Sequence, residues 1–283
     1  MFEFIYRCDP TESPTQSRPI DAEQARARLI RGNKRFADLI KSSDDPSALH
    51  QEIIALDLNA FGIAEDSDGV PLQRPFAAVL SCSDARVPVE LIFHQACNDL
   101  FVVRLAGNVI NDECVGSIGY AVTNLEESVK LVVVLGHTCC GAVTAAVDSY
   151  LRPTSYPEIT SALGMRSIID RVFVSVRSGA QALERIGITQ TSDGNSYRER
   201  LLDLSVMLNS AMMAMSLQQI FSEVISVECP VVYGVYDLAS RMVWAPHMEL
   251  DSRPWVTPQL ADPPLSLGEF ENLATRFASL SQT

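Results

Sequence analysis

Short apolar runs that end abruptly at polar residues constrain the fold more than any other feature of this sequence. Residues 76–80, 100–103 and 130–135 are such runs, and Val231–Tyr236 is a fourth that follows a proline. Runs this short and this apolar are typical of strands that are buried on both faces. Because helical patterns lie between them, the sequence predicts an α/β fold with a mostly parallel central sheet covered by helices on both faces.

The segments around these strands predict five helices. The first is amphipathic, with Asp21 as its N-cap, and extends to Lys41. The other predicted helices cover residues 142–150, 168–186, 197–227 and 267–280. Residues 1–20 are rich in Pro, Ser and Thr and lack apolar periodicity, so we expect them to order only against a partner surface.

The chain shows no internal repeat and no clear linker, which favours one domain over residues 1–283. Within that domain we expect an N-terminal helical arm over residues 1–41 and a core over residues 74–240 that carries the candidate site. Residues 245–283 begin with several prolines and end in the last predicted helix, so we expect a C-terminal extension that wraps over the body.

The charge balance disfavours some classes of partner. Asp and Glu total 35 against 22 Lys and Arg, and the resulting net charge of −13 repels nucleic acids and anionic membranes. No stretch approaches the run of about 20 apolar residues that a membrane-spanning helix needs. The first residues do not resemble a secretory signal. We therefore expect a cytoplasmic protein.

Seven cysteines, an odd number, suit free thiols or metal ligands better than a disulfide framework. Four of them lie in ordinary sequence and are expected to be small buried hydrophobes. These four are Cys8, Cys97, Cys114 and Cys229. The remaining three lie in unusually polar settings, directly after two of the predicted strands.

The sequence predicts a metal site from three of these polar residues. Cys82 follows one strand, and His137 and Cys140 follow another with a spacing of three. Parallel sheets bind ligands beyond the carboxyl ends of their strands, where these side chains would meet. A catalytic zinc takes three protein ligands and leaves one position open, and two thiolates with an imidazole favour Zn²⁺ over hard cations. Cys139 adjoins Cys140 and should point away from the ion.

Asp84 and Arg86 lie two and four residues beyond Cys82. A carboxylate beside an arginine can form a bidentate pair, which keeps the carboxylate ionised and fixes its direction. The simpler alternative is a surface ion pair that contributes little. Beside a metal ligand, we interpret the pair as a group that orients the chemistry at the ion.

Three segments of the sequence resemble the signature segments of β-class carbonic anhydrases. They are CSDARVP at 82–88, RLAGNV at 104–109 and GHTCCGA at 136–142, in that order. The resemblance extends from residues 32–36 to residues 236–238. It implies zinc ligation by Cys82, His137 and Cys140, and a catalytic pair of Asp84 and Arg86. It also implies a substrate pocket, formed partly by a neighbouring subunit, that includes Gln73, Phe101, Ala106, Tyr120 and Gly141.

The resemblance implies reversible hydration of carbon dioxide to bicarbonate and a proton, by attack of zinc-bound hydroxide. It also implies a homodimer or a dimer of dimers. Two alternatives stay open from the sequence: hydrolysis of an analogue such as carbon disulfide, and a structural zinc protein. A structural site needs a fourth ligand, for which Cys139 and Asp84 are the nearby candidates. In some family members the equivalent of Asp84 binds the zinc itself and so closes its fourth coordination position.

One subclass of this family is inhibited by bicarbonate bound in a second pocket, which a Trp, an Arg and a Tyr enclose. In this sequence Val79 stands at the position of that Trp, and Arg104 at the position of the Arg. Valine cannot donate a hydrogen bond to an ion, and a buried anion without its partners is costly. We therefore expect an open site, with Asp84 paired to Arg86, and no cooperative inhibition.

Overall fold

The computed structural model describes residues 2–8, 17–41, 50–58, 70–159, 161, 163–190, 194–222, 229–246 and 259–280. These residues form two sheets. The strands are Phe2–Cys8 (β1), His50–Leu56 (β2), Ala77–Ser81 (β3), Leu100–Arg104 (β4), Leu131–His137 (β5), Val231–Tyr236 (β6) and Val243–Trp244 (β7). The larger sheet has the order β4-β3-β5-β6-β7, and β1 pairs with β2 in the smaller one.

The larger sheet confirms the prediction of a mostly parallel core. Its first four strands run parallel, and only the short β7 is antiparallel to its neighbour. The four predicted strands are all present, with ends within about two residues of those expected. Every residue of β3, β5 and β6 is buried. Strands buried on both faces explain why the sequence shows continuous apolar runs rather than alternation.

The helices of the described chain include all five that were predicted. Their bounds are Ala22–Lys41 (α1), Val89–Ile92 (α2), Asp112–Asn124 (α3), Gly141–Leu151 (α4), Tyr156–Ile159 (α5), Leu163–Arg185 (α6), Gly194–Ile220 (α7) and Leu267–Leu280 (α8). Asp21 caps α1 as predicted, because its carboxylate accepts a hydrogen bond from the backbone N–H of Gln24 (2.8 Å). The prediction missed α2, α3 and α5. Its proposed extension of α7 to residue 227 lies partly outside the described residues.

Helices cover both faces of the larger sheet, as predicted. Successive residues of a strand point to opposite faces, and β3 shows this directly. Ala78 and Leu80 pack in the core beneath α3, α4, α6, α7 and α8, whereas Ala77 and Val79 pack in the core beneath α1 and α2. The sheet therefore forms the middle of a three-layer arrangement.

The N-terminal segment differs from the prediction. Residues 2–8 form β1, which pairs in parallel with β2, so the expectation of an arm that orders only on a partner is wrong for this stretch. Phe4 packs against Phe36 of α1, with 6.4 Å between ring centroids. On β2, the buried Glu52 accepts a hydrogen bond from His94 Nε2 (2.8 Å) and pairs with Arg35. The apolar run FEFIY was obscured by the polar residues that follow it; residues 9–16 lie outside the described chain.

The C-terminal segment lies against the larger sheet. Ala261 forms an antiparallel bridge with Tyr233 of β6. The ring of Phe277 on α8 stacks on Trp244 of β7, with centroids 5.7 Å apart. Residues 247–258, which join these parts, lie outside the described chain. None of the described helices is long and apolar enough to span a bilayer.

The cysteines divide differently from the prediction. All seven are free thiols. Cys114 and Cys229 are buried as expected, but Cys8 and Cys97 are exposed, so the prediction of buried small hydrophobes is wrong for these two. Cys8 ends β1 and Cys97 lies in the loop before β4. Both positions are exposed because the chain has left the core there.

Candidate metal centre

The ends of two neighbouring strands bring together Cys82, His137 and Cys140. β3 and β5 are parallel neighbours with Ser81 opposite Leu135, so the residue that follows β3 and the last residue of β5 reach the same edge. Cys140 stands just before the first residue of α4. The two sulfur atoms are 4.0 Å apart, and the candidate ligand atoms of all three residues lie within 4.8 Å of one another. All three residues are buried.

The hydrogen bonding of the His137 imidazole leaves one ring nitrogen available to bind a metal ion. Its Nδ1 lies 2.9 Å from the carbonyl oxygen of Thr138, which can accept the Nδ1 proton and leave a lone pair on Nε2. Nε2 is buried and has no hydrogen-bond partner among the described residues. A buried polar atom without a partner is unusual, and a cation between the imidazole and the thiols would satisfy it. The set of two sulfurs and one nitrogen fits Zn²⁺.

The pKa values of the two buried thiols are shifted in opposite directions. The pKa of Cys82 is well below its ordinary value, chiefly because its sulfur shares a hydrogen bond with that of Cys140, with further support from backbone N–H groups. The pKa of Cys140 is raised by that same hydrogen bond, by burial and by the neighbouring thiolate. Both shifts favour loss of the first proton from Cys82. Binding of a divalent cation would displace the second proton, so metal affinity should increase with pH.

Asp84 and Arg86 form the predicted bidentate pair. Arg86 donates from Nε to Oδ1 (2.9 Å) and from Nη2 to Oδ2 (2.7 Å) of Asp84. These bonds hold the pKa of Asp84 well below its usual range, so the carboxylate is ionised. Arg86 Nη2 also donates to the carbonyl of Cys139 (3.1 Å), and Asp84 Oδ2 lies 3.9 Å from His137 Nε2. The carboxylate thus lies beside the candidate ligand atom of His137.

Arg104 has a structural part in the site that reasoning from residue types did not reveal. It ends β4, and its Nε donates to the carbonyl of Cys82 (3.0 Å) while its Nη2 donates to the carbonyl of Asp84. The same side chain therefore fixes the backbone of a candidate ligand and of the carboxylate. On the other side of the site, Thr138 donates from Oγ1 to Asp237 (3.0 Å) and so ties the end of β5 to the turn after β6.

Two of the five predicted pocket residues border the three candidate ligands. Ala106 begins a short 3₁₀ turn, Ala106–Asn108, in which Gly107 donates its N–H to Cys82 Sγ (3.3 Å). Gly141 follows Cys140 directly and has open space where a side chain would stand.

The other three pocket residues lie away from the ligands within one chain. The rings of Phe101 and Tyr120 are 6.4 Å apart, and Phe101 stands opposite Ala78, near the amino end of β3. Gln73 is exposed. Its neighbours Leu72 and Arg74 both form hydrogen bonds with the side chain of Asn98. The amino end of a five-residue strand is about 13 Å from its carboxyl end. The structure therefore does not bring Gln73, Phe101 and Tyr120 to the metal centre of their own chain.

Cys139 lies outside the group of candidate ligands. It is exposed and has a left-handed backbone conformation, with φ of 56°. Within the described part of the chain, the group contains Cys82, His137 and Cys140 alone. This arrangement agrees with the expectation that neighbouring cysteines point apart.

The fold and the site together define an α/β protein with a cluster of side chains that could hold a metal ion, and comparison with known proteins identifies its family. The sequence model of the carbonic anhydrase family matches residues 77–243, which is more than half of the chain. This chain belongs to the carbonic anhydrase family, in its β class.

Two mycobacterial carbonic anhydrases are among the similar sequences. One, from Mycolicibacterium smegmatis, is 43% identical over 121 residues, which cover 43% of this chain and 55% of that protein. Another, carbonic anhydrase 2 of Mycobacterium tuberculosis, is 44% identical over 110 residues, which cover 38% and 48%. The chain thus spans about half the length of the curated relatives that it matches. The β-carbonic anhydrase of Coccomyxa, solved with acetazolamide, is 22% identical with a TM-score of 0.48, covering 76% of this chain and 83% of that one.

Proposed function

We propose that this chain catalyses the reversible hydration of carbon dioxide to bicarbonate and a proton, with Zn²⁺ held by Cys82, His137 and Cys140. The observation that carries the proposal is the convergence of these three side chains beside an ionised carboxylate. Membership of the carbonic anhydrase family supports the substrate. Bound zinc supplies a Lewis acid that makes hydroxide available from water near neutral pH.

The residues around the cluster then have separate tasks. Asp84, held ionised by Arg86, accepts a hydrogen bond from the attacking water and so directs a lone pair at the carbon of the substrate. Arg86 keeps that carboxylate off the open ligand position by occupying both of its oxygens. The net charge of −13 does not oppose the approach of carbon dioxide, because the substrate is neutral.

A structural zinc protein is the first alternative, and it is less well supported. It needs a fourth protein ligand. Cys139 lies outside the ligand group, and Asp84 is bound through both oxygens to Arg86. A zinc held by three protein ligands would keep the fourth position open, as a catalytic site requires.

The second alternative, hydrolysis of carbon disulfide, uses the same metal centre with a different pocket. Stopped-flow hydration of carbon dioxide, run beside carbon disulfide turnover on protein of known zinc content, separates the possibilities. We expect fast hydration, one zinc per chain and no carbon disulfide turnover. Turnover of carbon disulfide alone would replace the proposal, and a zinc-loaded chain that is inactive on both would indicate a structural site.

We further propose that the active form is a homodimer or a dimer of dimers. Support comes from Gln73, Phe101 and Tyr120, which are expected pocket residues but lie toward the amino ends of the strands in their own chain. Tyr120 is 48% exposed, so its ring is accessible to a second copy. A second copy could bring these residues to the metal centre. A cytoplasmic location also stays a proposal, supported by the seven free thiols.

A further inference from the structure

One turn of α7 lies directly behind the metal centre. Asn209 is fully buried on this helix, which packs against β5 and β6. Its side-chain Nδ2 donates a hydrogen bond of 2.7 Å to the carbonyl oxygen of Gly107. The bond joins residues that are 102 positions apart in the sequence, and it reaches the turn that contacts the sulfur of Cys82.

The hydrogen bond from Asn209 reaches the metal centre through Gly107. It has a φ of +68°, in the left-handed region that favours glycine, and a Cβ at this position would stand 3.1 Å from that of Ala142. Its N–H donates to Cys82 Sγ (3.3 Å), and its carbonyl accepts from Asn209. The peptide group before the Cα of Gly107 is therefore held at its N–H by Cys82. The one after it is held at its carbonyl by Asn209 and at its N–H, that of Asn108, by the carbonyl of Leu105 (2.8 Å). Without the bond from Asn209, the carbonyl of Gly107 would lose its partner, and only the bond from Asn108 to Leu105 would hold this peptide group beside a very permissive residue.

The same turn of α7 also contacts the strand that carries His137. A Cβ on Gly136 would lie 2.1 Å from the Oγ of Ser210 and 3.6 Å from the Oδ1 of Asn108. Gly136 therefore leaves room for a buried hydroxyl directly before His137. Two adjacent residues of α7 thus pack against the turn that contacts the sulfur of Cys82 and against the strand that ends in His137.

Packing alone does not explain an asparagine at position 209. Its Oδ1 is buried and has no hydrogen-bond partner among the described residues. Burial of an unsatisfied acceptor is unfavourable, and a leucine of similar size would avoid that cost. The hydrogen bond to Gly107 is what the asparagine provides and the leucine could not.

We propose that Asn209 is a positioning residue of the metal centre: it holds the Gly107 carbonyl so that the Gly107 N–H points at the sulfur of Cys82. This inference rests on the proposed zinc site. A hydrogen bond to a ligand sulfur fixes the direction of its lone pairs and lowers the energy of its electrons, so its loss changes both metal affinity and the spectrum of a bound transition metal.

The test uses the full-length chain and the variants Asn209→Leu and Asn209→Ser. We expect both to weaken zinc binding about 10- to 100-fold, measured by competition with a chromophoric chelator. With Co²⁺ in place of Zn²⁺, the thiolate-to-cobalt charge-transfer band should move to longer wavelength, because a sulfur without its hydrogen bond gives up an electron more easily. If the leucine variant fails to fold, the serine variant and its cobalt spectrum still decide the question.

Asn33→Leu is the matched control. Asn33 is also fully buried, but it bonds to the backbone of residues 92, 241 and 243 on the other side of the sheet. It should lower thermal stability while leaving zinc affinity and the cobalt band unchanged. Wild-type affinity and spectrum in both Asn209 variants, or equal shifts in the control, would overturn the inference. If wild-type protein binds zinc but does not hydrate carbon dioxide, the proposed function fails and the positioning role is unaffected.

Discussion

At the scale of single residues, the candidate site depends on how little freedom its polar atoms have. Cys82 receives a hydrogen bond at its sulfur from Gly107 and another at its carbonyl from Arg104. Asp84 is bound at both carboxylate oxygens and at its carbonyl. Groups held in this way lose little entropy when a metal or a substrate binds.

The first prediction concerns the metal ligands. Cys82→Ala, His137→Ala and Cys140→Ala should each remove the zinc, because a site with three protein ligands has none to spare. Metal analysis of the purified variants measures this directly. Cys139→Ala is the control and should keep one zinc per chain, since Cys139 lies outside the ligand group. Full zinc occupancy in any of the first three variants would show that the ligand assignment is wrong.

The second prediction concerns the carboxylate and its partner. Asp84→Asn and Arg86→Ala should leave zinc bound but reduce carbon dioxide hydration by at least about tenfold, because the attacking water loses its orienting acceptor. Stopped-flow rates normalised to zinc content measure the effect. Arg166→Ala, which removes an exposed ion pair with Asp170, should change nothing. Near-normal rates in both test variants would show that Asp84 and Arg86 form only a surface ion pair with no role in the reaction.

The third prediction concerns regulation by bicarbonate. Arg104 is engaged with the carbonyls of Cys82 and Asp84, and Val79 offers no hydrogen bond, so an anion has no complete set of partners there. Activity should therefore fall with added bicarbonate only as simple product inhibition. A sigmoidal loss of activity would contradict this expectation, as would an experimental structure at pH 7.5 with Asp84 bound to zinc.

At the scale of elements, sequence reasoning succeeded where each element carries its own signal. Strands β3, β5 and β6 are continuous apolar runs, and the ligand spacing in GHTCCG is visible within six residues. It failed for β1, whose apolar residues adjoin a polar stretch, and for α3, which it did not predict. Arg104 and Asn209 were not identified from residue chemistry because their contacts join residues 22 and 102 positions apart. Such contacts depend on the tertiary fold, which no local pattern encodes.

The fourth prediction concerns how the smaller sheet is attached. Glu52→Ala removes the acceptor for the buried His94 and leaves that ring without its partner, which should cost about 1–3 kcal/mol of unfolding free energy. The midpoint of thermal unfolding should fall by about 2–10 °C, with zinc content unchanged. Gln51→Ala, at the exposed neighbouring position on β2, serves as the control. An unchanged midpoint would mean that the buried bond contributes little to stability.

At the scale of the whole molecule, the fifth prediction concerns a shared pocket. A chain with Cys82→Ala lacks a metal ligand but keeps Tyr120, whereas a chain with Tyr120→Ala keeps the metal ligands. If a second copy supplies the pocket wall, mixing the two inactive or weakened chains should restore hydration in mixed dimers. Light scattering at assay concentration should show at least a dimer. An active monomer, or no gain on mixing, would contradict the proposal.

The strand order also has a consequence for synthesis of the chain. β5 lies between β3 and β6, yet roughly 90 residues separate it from β6 in the sequence. At a ribosomal rate of about 5–20 residues per second, the nascent chain would expose one edge of β5 for about 5–20 s before β6 emerges. An apolar, unpaired strand edge is where chains aggregate. A chain truncated before residue 231 should therefore be retained by chaperones or precipitate rather than persist as a smaller folded protein.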